Sequence, residues 1–183
     1  MGPDLQVADR MIATAEQYGR RLMVYQPERA GREIVCLQSI LSQGLIGDVY
    51  LIKHTRTQYT HRNDWQAWRE FGGGMLNNYG VRLIDACLHV ASSPAAQITC
   101  HLRTIASLGD ADDVVKVLIK TESSVLLDID MASAHPMQPR WHVVGTHGAL
   151  ILDDEADGLG GKVLRPGRPA AAGRTGWPAG LTR

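Results

Sequence analysis

Residues Val114–Ala132 read VVKVLIKTESSVLLDIDMA. Two runs rich in Val, Ile and Leu, at about 113–121 and 124–132, are parted by Glu122 and Ser123 alone, a break that suits a tight turn and is too short for a crossover. They are expected to pair as antiparallel neighbours. Runs of the same character stand at about 96–106, 141–145 and 148–152, with short breaks such as Gly109-Asp110 between strands. Consecutive strands joined by short turns predict a meander.

Upstream the pattern is helical. Ile34, Leu37, Ile40 and Leu41 recur at helical spacing within about 30–43, and Gly44 stands at the stop. Val49–Thr57, opened by Gly47-Asp48, is rich in Val, Ile, Tyr and Thr and favours strand. A further helix is predicted at about 75–91, after Gly72-Gly73-Gly74 and before Ser92-Ser93-Pro94. At the front, Asp4 caps an amphipathic stretch carrying Leu5, Ala8, Met11, Ile12 and Ala15, read as helix over about 4–18; residues 21–25, between Gly19 and Pro27, read as a strand. Helices first and strands afterwards predict an α+β fold, an open antiparallel β-sheet with helices packed on one face.

The 183 residues are 44% hydrophobic and 21% charged, and 19 Lys+Arg balance 19 Asp+Glu. A chain of this length buries a sufficient core without metals or disulfides. Zero net charge argues against nucleic acid or an acidic membrane as partner, since both are held by concentrated Lys and Arg. The longest apolar runs, such as Val114–Ile119, are broken by Lys116 and fall far short of the roughly 20 residues that cross a bilayer. Met1-Gly2-Pro3-Asp4-Leu5 lacks the basic and apolar segments of a secretory signal, so a cytoplasmic location is expected. Cys36, Cys87 and Cys100 form no CxxC pair and are expected to be small buried hydrophobes. His54, His101, His135, His142 and His147 lack metal-ligand spacing and read as polar surface residues. Residues 158–183 hold seven Gly, three Pro, five Lys+Arg and no acidic residue, which reads as a disordered tail.

Two segments carry candidate chemistry. Residues 58–71 are aperiodic and contain Tyr59, His61, Arg62, Asp64, Trp65, Trp68 and Arg69, a composition that suits a functional or bridging loop. In the helix at 75–91, Asn78, Arg82, Asp85 and His89 are spaced by four, three and four and so share a helical face. That face is either a solvated stripe with an Arg82–Asp85 ion pair, or the wall of a site that the glycine triplet lets a ligand approach.

The stretch Gly72-Gly73-Gly74-Met75-Leu76-Asn77-Asn78-Tyr79-Gly80-Val81-Arg82-Leu83-Ile84-Asp85 resembles the helix-opening segment in the second domain of the glucose-fructose oxidoreductase and inositol dehydrogenase (Gfo/Idh/MocA) family. Ala8-Asp9-Arg10-Met11-Ile12 with Arg21-Leu22-Met23-Val24 resembles that family's last nucleotide-domain helix and strand. Gly44-Leu45-Ile46-Gly47-Asp48-Val49 is similar to its turn, and Asp64-Trp65 and Trp141–Leu150 agree in order. The resemblance covers about residues 4–154. It implies three parts: a helix-strand remnant of a Rossmann domain over 1–25, an α+β substrate and oligomerisation domain over 26–155, and a flexible basic tail over 156–183.

By this resemblance, the full-length enzyme passes hydride between NAD or NADP and a hydroxyl-bearing carbon of a sugar or polyol, and a family Asp and His serve the hydroxyl proton. The Asp position falls on Asn78 and the His position on Arg82. Asparagine still bonds a substrate hydroxyl, but a guanidinium stays protonated and cannot act as a base. Asp85, Tyr59, His61, Arg62 and Trp65 are the implied substrate contacts. The glycine-rich dinucleotide turn is missing; the nearest approach, Gly158-Leu159-Gly160-Gly161-Lys162-Val163, lacks its last glycine. The family's Glu-Lys-Pro lysine would stand before Met1. The chain is therefore expected to bind no cofactor by itself, to be a truncated enzyme inactive alone, and to form a homo-oligomer through its sheet. The alternative is a noncatalytic dimerisation or sugar-binding module.

Overall fold

The computed structural model describes residues 4–133, 136, 138–155 and 158–164. Three α-helices, α1 (Leu5–Gln17), α2 (Arg32–Ser42) and α3 (Val81–Ala91), accompany seven strands: β1 (Val49–Thr57), β2 (Ala95–Arg103), β3 (Val114–Thr121), β4 (Leu126–Ala132), β5 (Trp141–Gly145), β6 (Gly148–Glu155) and β7 (Gly158–Leu164). The strands form one sheet in the order β2-β3-β4-β1-β5-β6-β7.

The fold is thus α+β with an open sheet, as the residue pattern predicts. Two antiparallel meanders, β2-β3-β4 and β5-β6-β7, flank β1. A four-residue turn joins β3 to β4 and a two-residue turn joins β5 to β6, whereas the ten residues 104–113 run between β2 and β3. Between β1 and β4 the connection contains α3 and two strands, which is long enough to return the chain in the same direction, and this pair is parallel, with Leu51 opposite Leu126 and Thr57 opposite Ala132. On its other edge β1 pairs antiparallel with β5.

Burial alternates along β3, β5 and most of β4. Val115, Val117, Ile119, Leu127, Ile129 and Met131 point to the face covered by α2 and α3 and are essentially inaccessible. Ile34 and Leu37 from α2, and Leu83, Ala86, Cys87 and Val90 from α3, complete this core. Burial also pushes the Cys87 thiol far above its ordinary range, so it behaves as a small hydrophobe. The opposite face is open. There Lys116 reaches both Asp128 and Asp130, and Lys53 reaches Asp128 at 3.3 Å. Partial burial works to lower the Lys116 ammonium, but its hydrogen bonds to the two carboxylates prevail and hold it above the ordinary lysine value.

Two expectations change. The strand expected at 21–25 does not form: residues 20–26 have no regular secondary structure and no strand partner among the described residues. Apolar composition gives strand propensity, but a ladder needs a neighbour. Their helix, α1, buries none of its residues, and Leu5, Met11 and Ile12 stay exposed. The sheet also runs past the boundary set at residue 156, because Gly158–Leu164 pairs along β6 from Glu155–Gly158 to Ala149–Leu164. Gly and Lys are poor strand formers, so this segment owes its conformation to the neighbouring edge. Residues 165–183 of the expected tail, and His135, lie outside the described residues.

Two adjacent carboxylates shape the entrance to α3. Asp112 accepts from the Leu76 amide through Oδ2 at 2.9 Å, and its backbone oxygen accepts from the Met75 amide at 2.8 Å. This approach requires Gly74, whose φ is +113° and whose Cβ position would lie 2.5 Å from Asp112 Oδ1. Asp113, 6% exposed, accepts from the amides of Ile105, Ala106 and Ser107 at 2.7, 2.6 and 2.6 Å. Asp113→Ala would strand three amide donors at a site with little access to water. We expect it to lower the unfolding free energy by at least about 3 kcal/mol in urea titration; a loss under about 1 kcal/mol would show that the loop does not depend on this carboxylate.

Candidate functional site

The helix expected at 75–91 is two elements. Leu76–Gly80 forms a π-helical turn, and regular α-helix begins at Val81. A π-turn admits an extra residue per turn and shifts the phase of everything before it. Asn78 and Arg82, four apart, consequently line different cavities, and Tyr79 lines both. Asn78 faces a small cavity of about 30 Å3 beside Arg62, Gln66 and Asp112, and its Nδ2 donates to Gln66 Oε1. Arg82 stands at a larger cavity of about 400 Å3.

That larger cavity lies between the first turn of α2, α3, the end of β1 and Arg140-Trp141. Its floor comes from β1, whose inward positions run Ile52, His54, Arg56. His54 is 2% exposed, not a surface residue as its spacing suggested. Its ring stacks on that of Trp141, with centroids 3.7 Å apart and planes 15° from parallel, and neither ring nitrogen has a hydrogen-bond partner. Burial, then the charges of Arg140 and Arg56, push the imidazole down to about 3, against a smaller opposite effect of the Leu83 backbone. His54 is neutral at ordinary pH and too weak a base for alcohol oxidation.

Glu33, in the first turn of α2, fixes the wall. It accepts from Trp141 Nε1 at 2.9 Å through one oxygen and from Arg140 Nη1 through the other. The Arg56 guanidinium lies 3.9 Å from the centroid of the Tyr79 ring, and Arg62 Nη2 donates to the Tyr79 hydroxyl at 3.1 Å. Tyr79 is therefore held from both sides.

The remaining sequence candidates disperse. Asp85 pairs with Arg29 rather than Arg82, through two hydrogen bonds of 2.9 and 2.6 Å that hold the Arg29 guanidinium above its ordinary value. His89 bonds Gln38 at 3.2 Å. His61 Nδ1 meets the Ala106 carbonyl at 3.2 Å. Tyr59 and Trp65 are 74% and 53% exposed and line neither cavity. Arg62 alone of that loop's four candidates reaches a cavity wall, where it also bonds Asp64 at 3.1 Å.

Sequence reading missed His54, Arg56, Glu33, Arg140 and Trp141 as neighbours of Arg82. The usable signal was parity: along β1, His54 and Arg56 share the side of Ile52, and polar residues on the core side of a strand mark a place where the core gives way to something else.

Residues 34–151 match the family model described as the GFO/IDH/MocA C-terminal domain. This chain belongs to that family. The matched span contains α3 and β1–β5 in full and α2 from its third residue, and with them most of the cavity wall. Solved structures agree on the fold. A NAD-binding protein from Listeria innocua superposes with a TM-score of 0.79 at 23% identity, covering 90% of this chain and 49% of the other. Aldose-aldose oxidoreductase from Caulobacter crescentus, complexed with glycerol, gives 0.78 at 18% identity, covering 97% and 55%. An oxidoreductase from Agrobacterium radiobacter, in complex with NAD+, L-tartaric acid and magnesium, gives 0.71 at 17%, covering 94% and 54%. The chain thus spans about half the length of these structures. No curated protein is significantly similar in sequence.

Among the described residues, the segment closest to a dinucleotide-binding turn does not have that geometry. The glycine-rich stretch Gly158–Val163 is extended in β7 and paired with β6, not a turn leading from a strand into a helix.

A buried neutral histidine couples stability to pH with a definite sign. The unfolded chain takes up a proton near the ordinary value of 6.5 and the folded chain only near 3, so His54 favours folding fully above pH 6.5 and progressively less below it. The expected slope is about 1.4 kcal/mol per pH unit. Between pH 7 and 5 the chain should lose about 2 kcal/mol more than His54→Phe, which keeps an aromatic ring against Trp141; parallel curves in urea titration would contradict the neutral assignment.

Proposed function

We propose that this chain supplies the substrate-binding and oligomerisation half of an NAD(P)-dependent oxidoreductase that acts on a sugar or polyol. The observation that carries the proposal is the cavity of about 400 Å3 under α3, which opens at the position of the family's proton-transferring histidine. Its size suits a small polyhydroxylated molecule. The relatives add support: one is an aldose-aldose oxidoreductase with glycerol bound, another holds NAD+ and L-tartaric acid.

In this reading the nucleotide, which would accept or supply the hydride, is held by residues other than these 183, and the chain has no dehydrogenase activity alone. The exposed apolar stripe of α1 and the unpaired stretch 20–26 support it, since both are what a neighbouring sheet would cover. Arg82 orients substrate and does not move protons. Tyr79, fixed by Arg56 and Arg62, separates the substrate cavity from Asn78. A cytoplasmic enzyme working on small molecules, with neither nucleic acid nor membrane as partner, completes the reading; no helix among the described residues is long and apolar enough to cross a membrane.

Arg82 itself favours a second reading, a noncatalytic sugar-binding or dimerisation module, because the residue in the base position cannot be a base. A fusion to a complete nucleotide-binding domain separates the two. The enzyme reading expects Arg82→His to raise NAD(P)-dependent oxidation across a sugar panel by about a hundredfold, the lower range for a positioned acid-base group. An unchanged rate would support the module. Titration of NADH and NADPH into the unfused chain should give no saturation at micromolar concentration, and saturation there would overturn the assignment of the nucleotide to other residues.

The oligomer is proposed to form through the open face of the sheet, where Leu118 and Leu126, 37% and 42% exposed, flank the Lys53, Lys116, Asp128 and Asp130 cluster. Light scattering at micromolar concentration should return at least twice the 20.0 kDa of one chain; a clean monomer would refute this part.

A further inference from the structure

We infer that the cavity beside Arg82 selects a polyhydroxylated molecule that also carries an anionic group, a carboxylate or a phosphate, received between Arg82, Arg56 and the first turn of α2. The anion site stands on this chain's own residues. That the anion belongs to an oxidoreductase substrate rests on the reading above.

The cavity wall is positively charged. Arg32, Arg56, Arg82 and Arg140 line the cavity against Glu28 and Glu33, an excess of two positive charges. Glu33 is already committed to Arg140 and Trp141. Arg32 and Arg82 make no ion pair or side-chain hydrogen bond among the described residues, although guanidinium groups readily take bidentate oxyanions.

The same wall has unmet hydrogen-bonding capacity. The Arg56 Nε is buried and has no acceptor, a costly state for a donor on a cation. Its guanidinium carbon lies 3.9 Å from the Tyr79 ring centroid, and Arg56 lines the cavity from which an acceptor would come. Gly31 caps α2 without a side chain, and the first bond into the helix is that of the Val35 amide to the Gly31 carbonyl. The amides of Arg32, Glu33 and Ile34 are thus left as donors at the cavity wall, where the helix dipole favours negative charge.

The floor is polar but uncharged. His54, 2% exposed, lines the bottom of the same cavity, and neither buried ring nitrogen has a side-chain partner. A neutral imidazole donates at one nitrogen and accepts at the other, which suits hydroxyl groups rather than an anion. A cationic rim above a neutral polar floor fits one ligand with an acid at one end and hydroxyls at the other, the chemistry of a sugar acid or a sugar phosphate.

Calorimetric titration of the full 183-residue chain tests this. The probes are D-gluconate for the carboxylate, D-glucose 6-phosphate for the phosphate, and neutral D-glucose and sorbitol as controls. At least one acid should saturate, at least about tenfold more tightly than either neutral compound, the factor expected when one charge-assisted contact is added; which acid prevails identifies the anion. Arg82→Gln should weaken the preferred acid by about ten- to a hundredfold, Arg82→Lys should restore part of the loss, and Arg103→Gln, on exposed β2, should change nothing. Equal binding of neutral and acidic sugars, no saturable heat from either acid at millimolar concentration, or an unchanged affinity in a folded Arg82→Gln variant would each overturn the inference. Because no hydride transfer is measured, a chain that binds gluconate but whose fusion gains no oxidation from Arg82→His refutes the enzymatic reading and leaves the anion site standing.

Discussion

Strand β1 exchanges backbone hydrogen bonds on both edges, parallel to β4 on one side and antiparallel to β5 on the other, and so joins two meanders that have no other ladder between them among the described residues. Its register decides far more than sheet continuity. Along the inward side the residues pass from Ile52 in the apolar core to His54 under Trp141 and then to Arg56 in the cavity. A slip of one residue would bring Lys53 and Thr55 to the helical face and put Arg56 on the open one. Core and site are thus consecutive stretches of a single alternation.

Carboxylates hold the rest of the site to this frame. Glu33 ties the first turn of α2 to Trp141 and Arg140, and thereby positions the aromatic ring that covers His54. Asp112 receives the start of the π-turn, and Asp113 gathers three amides of the loop that runs beside it. Glu33 is engaged by donors inside the fold, and four arginines against two glutamates leave the larger cavity positive although the chain as a whole is neutral.

Much of the fold was legible because burial imposes period. Val115, Val117 and Ile119 alternate with solvent-facing residues, and Ile34 and Leu37 recur at a helical interval, so β3 and α2 announce themselves. What escaped lacks such a signal. The parallel β1–β4 pairing follows from which distant strand completes the sheet, and β7, with Gly158, Gly160 and Gly161, has no strand propensity apart from its neighbour. The segment 21–25 has the propensity but no strand partner among the described residues. For the site, a spacing of four between Asn78 and Arg82 means one face only in a regular α-helix, and the π-turn at Leu76–Gly80 separates them. Asp85 could pair with Arg82 in sequence, but Arg29, fifty-six residues away, reaches it instead.

The central claim is that the substrate enters between α2, α3 and the end of β1, over the His54–Trp141 stack. Chemical-shift mapping of the isotopically labelled chain with D-gluconate tests it most directly. The account predicts shifts concentrated at the amides of Arg32–Ile34, Arg56 and Leu83 and at the Trp141 indole N–H. Shifts centred instead on the Lys53 and Lys116 face of the sheet, or along α1, with the Trp141 indole unmoved, would contradict it.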